Sequence, residues 1–171
     1  LWKDIRGTPQ ILDKEEKTNL RERTAAFPLE ITYRLINMFS IQGDTILDPF
    51  WGTGTTSMAA MSCARNSLAY ELQSEFGGVF EEKIRDLVNL VHSLNLNRFE
   101  DHVRFIKAYM KEGKEPKYEA LNYNFPVITK QEKSLLLYAV KEIEKTKNGY
   151  VVTHQPFTFE GKIPHPSRSV Q

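Results

Sequence analysis

Asp48-Pro49-Phe50-Trp51-Gly52-Thr53-Gly54-Thr55-Thr56 follows directly on the apolar run Thr45-Ile46-Leu47. An apolar strand thus runs into an acid and then into a turn with two glycines. Helix-compatible residues (Ser57, Met58, Ala59, Ala60, Met61) follow at once. This order predicts one strand–turn–helix step of an open α/β sheet, whose ligands bind in the crevice at the carboxyl ends of the strands. Gly52 and Gly54 tolerate positive φ and leave no side chain in the way of a close-lying ligand. The helix beginning near Thr55 offers unpaired N–H groups and a partial positive charge, suited to a carboxylate or phosphate.

Working outward, Ser67-Leu68-Ala69-Tyr70-Glu71 reads as the next strand, with its terminal carboxylate 17 residues beyond Gly54. In nucleoside-binding α/β folds an acid at about that distance accepts hydrogen bonds from ribose hydroxyls. The chain has neither the Gly-Lys-Ser/Thr of a phosphate loop nor Gly-x-Gly-x-x-Gly. A ligand with an adenosine and a small charged tail therefore fits better than a triphosphate or a pyrophosphate. The bland alternative makes Asp48-Pro49 a turn, the two glycines its hinge and Glu71 a solvated strand end. The whole run in its strand–turn–helix setting, with the later acid, favours the ligand site.

The run Asp48–Thr56 resembles the S-adenosylmethionine motif of amino-group DNA methyltransferases, which modify cytosine N4 or adenine N6. The resemblance extends upstream to Phe27-Pro28-Leu29-Glu30-Ile31 and downstream through Arg65–Glu71, and covers residues 20–80. It implies a set of S-adenosyl-L-methionine contacts comprising Phe27, Pro28, Asp48, Pro49, Phe50, Gly52, Thr53, Gly54, Thr55, Thr56 and Glu71. Asp48 and the backbone from Phe50 to Gly54 would meet the methionine moiety, Phe50 would pack near the sulfonium, and Glu71 would hold the ribose. Trp51 would either line the pocket or cover its floor. Many family members carry His-Pro where this chain has Arg23-Thr24. The family's catalytic tetrapeptide, an Asp, Asn or Ser before Pro-Pro-aromatic, has no counterpart, because no Pro-Pro occurs. Asn124-Phe125-Pro126-Val127 and His154-Gln155-Pro156-Phe157 lack the second proline.

The expectation is therefore an α/β chain with a partial Rossmann-like methyltransferase fold, a parallel sheet with flanking helices, incomplete without an upstream half. That half, or a partner chain, would carry the tetrapeptide; the chain also opens on Leu1 rather than Met. DNA is the expected partner and an exocyclic amine the acceptor, with cytosine N4 slightly ahead of adenine N6. The rival readings are a non-catalytic cofactor-binding subunit of a split enzyme, or a methyltransferase for RNA or a small amine.

Composition sets outer bounds. The chain has 171 residues, 40% hydrophobic and 26% charged, with net charge +1, ordinary globular usage with no strong electrostatic footprint for nucleic acid. One cysteine, Cys63, permits no internal disulfide. No apolar run approaches the 18 or so residues of a membrane span, and the expected location is the cytoplasm. Arg6, Arg21 and Arg23 lie in a polar stretch, 6–24, more often solvated than bound to phosphate. His92, His102, His154 and His165 lack metal-ligand spacing and read as surface or helix-face residues. Asp44 reads as a turn residue and Cys63 as buried packing.

Three regions are expected: a polar connecting loop over 1–26, a cofactor-binding α/β half-domain over 27–112, and an extension with a tail over 113–171. Leu1–Ile5 would end a strand or form a connector. A helix is predicted from Phe27 to Phe39, with Ile31, Leu35, Met38 and Phe39 inward. A helical stretch carrying Phe80, Ile84, Leu87, Val88, Val91 and Leu94 follows the second strand, then a separate helix over 99–111. A further helix is predicted over 130–145 on Leu135, Leu136, Val140 and Ile143, and a strand over 149–153 that continues towards Phe159.

Overall fold

Thr45–Asp48 (β1) and Asn66–Ala69 (β2) form a parallel pair, with Leu47 opposite Leu68. They belong to a computed structural model that describes residues 27–159. The expectations for 1–26, including Arg6, Arg21 and Arg23, and those for His165 and the tail lie outside the described residues. The connection between the two strands is the short helix Thr55–Ser62 (α2). Parallel strands need such a crossover, and Thr-Thr-Ser-Met-Ala-Ala-Met-Ser suits it because small side chains let neighbours close in from several sides.

The N-terminal helix, α1, spans Leu29–Phe39, with Pro28 capping it in an extended conformation. Pro28 has no N–H to waste there and fixes the entry angle. Glu30 pairs with Arg34 at 2.8 Å across one helical turn. The inward face is a correction to the sequence expectation. Thr32, Tyr33 and Ile36 are buried, whereas Leu35, Met38 and Phe39 are exposed. Tyr33 and Ile36 win because they meet Ala59 and Ala60 of α2 and Cys63, which caps it, whose small side chains form a groove for them. The other apolar stripe of α1 is left uncovered.

Beyond β2, Glu75–Ile84 (α3) and Leu87–Lys111 (α4) run in sequence. The break falls at Arg85–Asp86, and the two helices expected over 80–94 and 99–111 are redistributed: the second continues unbroken through residues 95–98. Leu87, Val91, Asn95 and Phe99 recur every four residues, so one buried stripe carries the helix across. Asn95 donates to the Tyr138 carbonyl at 2.9 Å and ties α4 to a later strand. Past α4, Tyr118–Glu119 (β3) and Pro126–Val127 (β4) form a short antiparallel pair.

The helix predicted over 130–145 does not form. A single 3-10 turn, Gln131–Ser134, precedes the strand Tyr138–Thr146 (β5), which pairs antiparallel with Gly149–Pro156 (β6). A register shift between Val140 and Glu142 explains the misreading. A bulge adds one residue to a strand, so Val140 and Ile143 both reach the core three residues apart, a spacing that mimics a helix. β6 stops at Pro156; beyond it Phe157 is buried and Phe159 stacks on Phe99.

Three apolar clusters hold these pieces. Met58, Met61, Phe80, Ile84, Leu87, Val91 and Val140 join α2, α3 and α4 to the β5–β6 hairpin. Phe99, Tyr123, Phe125, Val127, Leu137 and Phe157 form an aromatic-rich second cluster. The Asn124–Val127 stretch thus supplies core residues. The third joins α1 to α2. Burying one such side chain fully contributes about 1.5–3 kcal/mol.

Candidate functional site

The site is the bend from Asp48 to Thr55, at the carboxyl end of β1. The Asp48 side chain folds over its own turn, its Oδ1 accepting the Phe50 N–H at 3.0 Å. The parallel ladder carries on past the strand ends. The Tyr70 N–H donates to the Asp48 carbonyl at 3.0 Å, and the Trp51 N–H donates to the Tyr70 carbonyl at 2.9 Å. The turn is therefore pinned to the end of β2 by main chain.

Gly52 and Gly54 adopt φ of +52° and +77°, the left-handed region that costs other residues. For Gly54 a second reason is steric: an added Cβ would overlap Cδ2 of Phe80 and lie 2.8 Å from its Cε2. At Gly52 the surroundings are open, the nearest atom to an added Cβ being the Phe50 carbonyl oxygen at 4.0 Å. The two glycines thus serve different ends, one close packing from below and one access from above. Gly54 caps α2 and no side chain caps that helix end, which leaves first-turn N–H groups and the dipole's positive end at the bend.

Glu71 meets the bend from the other strand. Its Oε2 accepts the Gly52 N–H at 2.8 Å, and its Oε1 accepts the N–H groups of Leu72 and Gln73 at 2.9 Å each. These donors, Gln73 foremost, hold the carboxyl below the usual carboxylate range. The carboxylate is exposed and ionised, and each oxygen keeps acceptor capacity beyond its backbone partners. Phe50 is 87% exposed beside it, so its ring face is open at the crevice. Phe27 is also exposed at the start of α1 and Pro28 is half-buried; Pro49 lies in the exposed part of the turn, and Thr56 is half-buried on the first turn of α2.

Two of the expected residues point inward instead. Thr53 and Thr55 are buried, so what they present to the crevice is main chain. Trp51 covers the floor: its ring lies 4.7 Å from that of Phe80, and its Nε1–H donates to Ser57 Oγ at 2.9 Å. Ser67 Oγ joins the same hydroxyl at 3.1 Å. Sequence reasoning missed this Trp51–Ser57–Ser67 link and missed Lys83, whose Nζ donates to Thr53 Oγ1 at 2.8 Å. The available signal was that Lys83 lies three residues beyond Phe80 and shares its helical face.

Elsewhere, Cys63 is buried, accepts a hydrogen bond from Asn37 at 3.1 Å, and burial pushes its thiol up to about 11. It is protonated and inert at neutral pH. His102 lies on the face of α4 and His154 on β6, half-buried rather than on the surface, and their Nε2 atoms lie 2.9 Å from the Pro126 carbonyl and 2.6 Å from the Met61 carbonyl. His92 is exposed and edges onto Phe157. Among the described residues no group of three or more His, Cys, Asp or Glu is placed to hold a metal, and no helix is long and apolar enough to cross a membrane.

A cleft of about 430 Å³ does not lie over the bend. It follows β2 from Arg65 to Ala69 and is closed by Tyr150, Val152 and His154 of the hairpin, meeting the bend only at Trp51. The bend itself faces an open surface. Around that surface Leu47, Phe50, Leu68, Tyr70 and Leu72 are all more than half exposed. Leu47 and Leu68 are cross-strand neighbours on the uncovered face of the sheet.

The DNA methylase family profile matches residues 2–82. The Type II methyltransferase M.MthZI of Methanothermobacter thermautotrophicus is 44% identical over 148 residues, which is 86% of this chain and 39% of that protein. The Type II methyltransferase M.MjaI of Methanocaldococcus jannaschii is 54% identical over 72 residues, 42% of this chain and 24% of that protein. A solved chain from Thermus thermophilus, described as a putative DNA modification methylase complexed with S-adenosyl-L-methionine, is 45% identical; the match covers 36% of this chain and 26% of that one, with a TM-score of 0.35. The chain spans about two fifths of the first of these relatives and a quarter of the second. Over residues 2–82 the chain is thus similar to the DNA methylase family, and over 148 residues to a Type II methyltransferase.

Proposed function

We propose that the bend binds S-adenosyl-L-methionine and serves methyl transfer to an exocyclic amine of a DNA base, cytosine N4 ahead of adenine N6. The observation that carries the reading is the Gly52 turn clasped by Glu71 at the carboxyl end of a parallel pair. The residues present fit the group. The open space above Gly52, the uncapped start of α2 and the exposed Glu71 carboxylate match, in turn, a close-lying chain, an anionic tail and ribose hydroxyls. The cofactor supplies a methyl group activated on a sulfonium.

The chain's own residues bind and orient. Asp48 holds the turn through the Phe50 N–H, and Phe50 offers a ring face that attracts a cation. Phe27 and Pro28 at the head of α1, Pro49 in the turn, and the main chain of Thr53, Gly54, Thr55 and Thr56 complete the pocket. Glu71 accepts hydrogen bonds from the ribose. Such a site contributes mainly proximity and orientation, an effect worth several orders of magnitude when the nucleophile is held in line.

The acceptor base is bound elsewhere. No Pro-Pro occurs in these 171 residues, and the catalytic tetrapeptide is supplied by a segment outside them or by a partner chain. The uncovered stripe of α1 (Leu35, Met38, Phe39) and the open sheet face (Leu47, Leu68) suit its docking, since exposed apolar surface of that extent marks an interaction site. Residues 27–112 are read as the cofactor half of a Rossmann-like fold and 113–171 as an extension, whose described part, 113–159, packs on α4 through Phe99.

Calorimetry with S-adenosylmethionine tests the site. Asp48→Ala and Gly52→Val should each abolish measurable binding while circular dichroism stays that of the parent. Unchanged affinity in both variants refutes the assignment.

A further inference from the structure

Helix α3 reaches the bend with two side chains one turn apart. Phe80 fills the space that a Cβ on Gly54 would need. Lys83 extends alongside and donates to Thr53 Oγ1 at 2.8 Å. Thr53 lies between the two left-handed glycines and is only 4% exposed. Lys83 has no carboxylate partner among the described residues; what acts on its charge is desolvation, which lowers its pKa. A half-buried ammonium without a counter-ion is costly, whereas Arg104, Lys107 and Lys111 of α4 sit exposed in water at no such cost. The charge is spent on one hydroxyl in the middle of the bend.

We infer that Lys83 is a positioning residue for the cofactor turn. Its bond to Thr53 fixes the one non-glycine residue of Gly52-Thr53-Gly54, and so sets where the flanking N–H groups point. Without that bond the two glycines leave the turn free to visit other conformations, and the binding-competent shape becomes a fraction of the population. Phe80 fills the space under Gly54, Glu71 holds the Gly52 N–H, and Lys83 fixes the middle. The inference rests on the proposed reading of the bend as the cofactor site.

The test is a double-mutant cycle on the full chain, with S-adenosylmethionine affinity by calorimetry and amide exchange at Gly52, Thr53 and Gly54 without ligand. Lys83→Met keeps the apolar stem and removes the ammonium; Thr53→Val removes the acceptor from the other side, and Thr53→Ser keeps a hydroxyl. Lys83→Met and Thr53→Val should each weaken affinity about tenfold, the loss expected for one hydrogen bond to a charged group. The double variant should be no weaker than either alone, Thr53→Ser and Lys83→Arg should recover most of the loss, and exchange should quicken at the three amides with the melting temperature unchanged. If the parent binds and Lys83→Met stays within twofold, or the two losses multiply, the positioning role is refuted and the site stands. If the parent does not bind, the site assignment falls and the inference with it.

Discussion

Gly54 is the position where sequence and packing bind each other most tightly. Its φ of +77° and the ring of Phe80 beneath it exclude any side chain. Gly54→Ala should cost about 2–4 kcal/mol, from left-handed strain together with overpacking, read as a lowered urea midpoint. Gly52, with the same handedness and open surroundings, should tolerate alanine with the strain term alone. Glu71 makes a pH-dependent prediction. Its folded pKa is depressed, so its grip on Gly52 and Gln73 is complete above the ordinary glutamate range near 4.3 and is lost as pH falls through the lower, folded value. Amide shifts of Gly52 and Gln73 should therefore titrate together at a pH below the ordinary glutamate range. In Glu71→Gln they should stay flat; a shared titration surviving in that variant refutes the bond.

At the scale of elements, β5 separates a strand from the helix its spacing suggests. The bulge at Val140–Glu142 holds an extra residue. Deleting Lys141 should remove the bulge and leave Val140 and Ile143 on the same face of a regular hairpin. Ile143 should then keep its cross-strand contact with Val152, seen as a nuclear Overhauser effect. In a helix the same deletion would rotate Ile143 by about 100° away from the core. Loss of that contact, with helical signal in circular dichroism, would overturn the strand. Helix α1 shows the same ambiguity in another form. It carries two apolar stripes, and only contact with Ala59, Ala60 and Cys63 selects Tyr33 and Ile36 for burial.

At the scale of the molecule, an apolar surface lies beside the bend proposed to hold the cofactor. The chain alone should bind S-adenosylmethionine and yet transfer no methyl group to duplex DNA, because no residue in it supplies the acceptor tetrapeptide. Tritiated-methyl incorporation into DNA and into RNA checks this; turnover by the purified chain refutes the need for another segment. The bend was legible from nine consecutive residues. Its signals are local: a short apolar strand, an acid, two glycines and a helix of small residues, each dictated by backbone geometry within nine positions. The register of β1 with β2 and the bond from the Gly52 N–H to Glu71 came from the structure. Tertiary structure alone decided which stripe of α1 is buried, that residues 138–146 are a strand, that Thr53 faces inward, and that Lys83 reaches it across 30 residues. Those outcomes depend on which surfaces meet, and a spacing of three or four apolar residues is equally at home on a helix or across a bulge until a partner surface selects one.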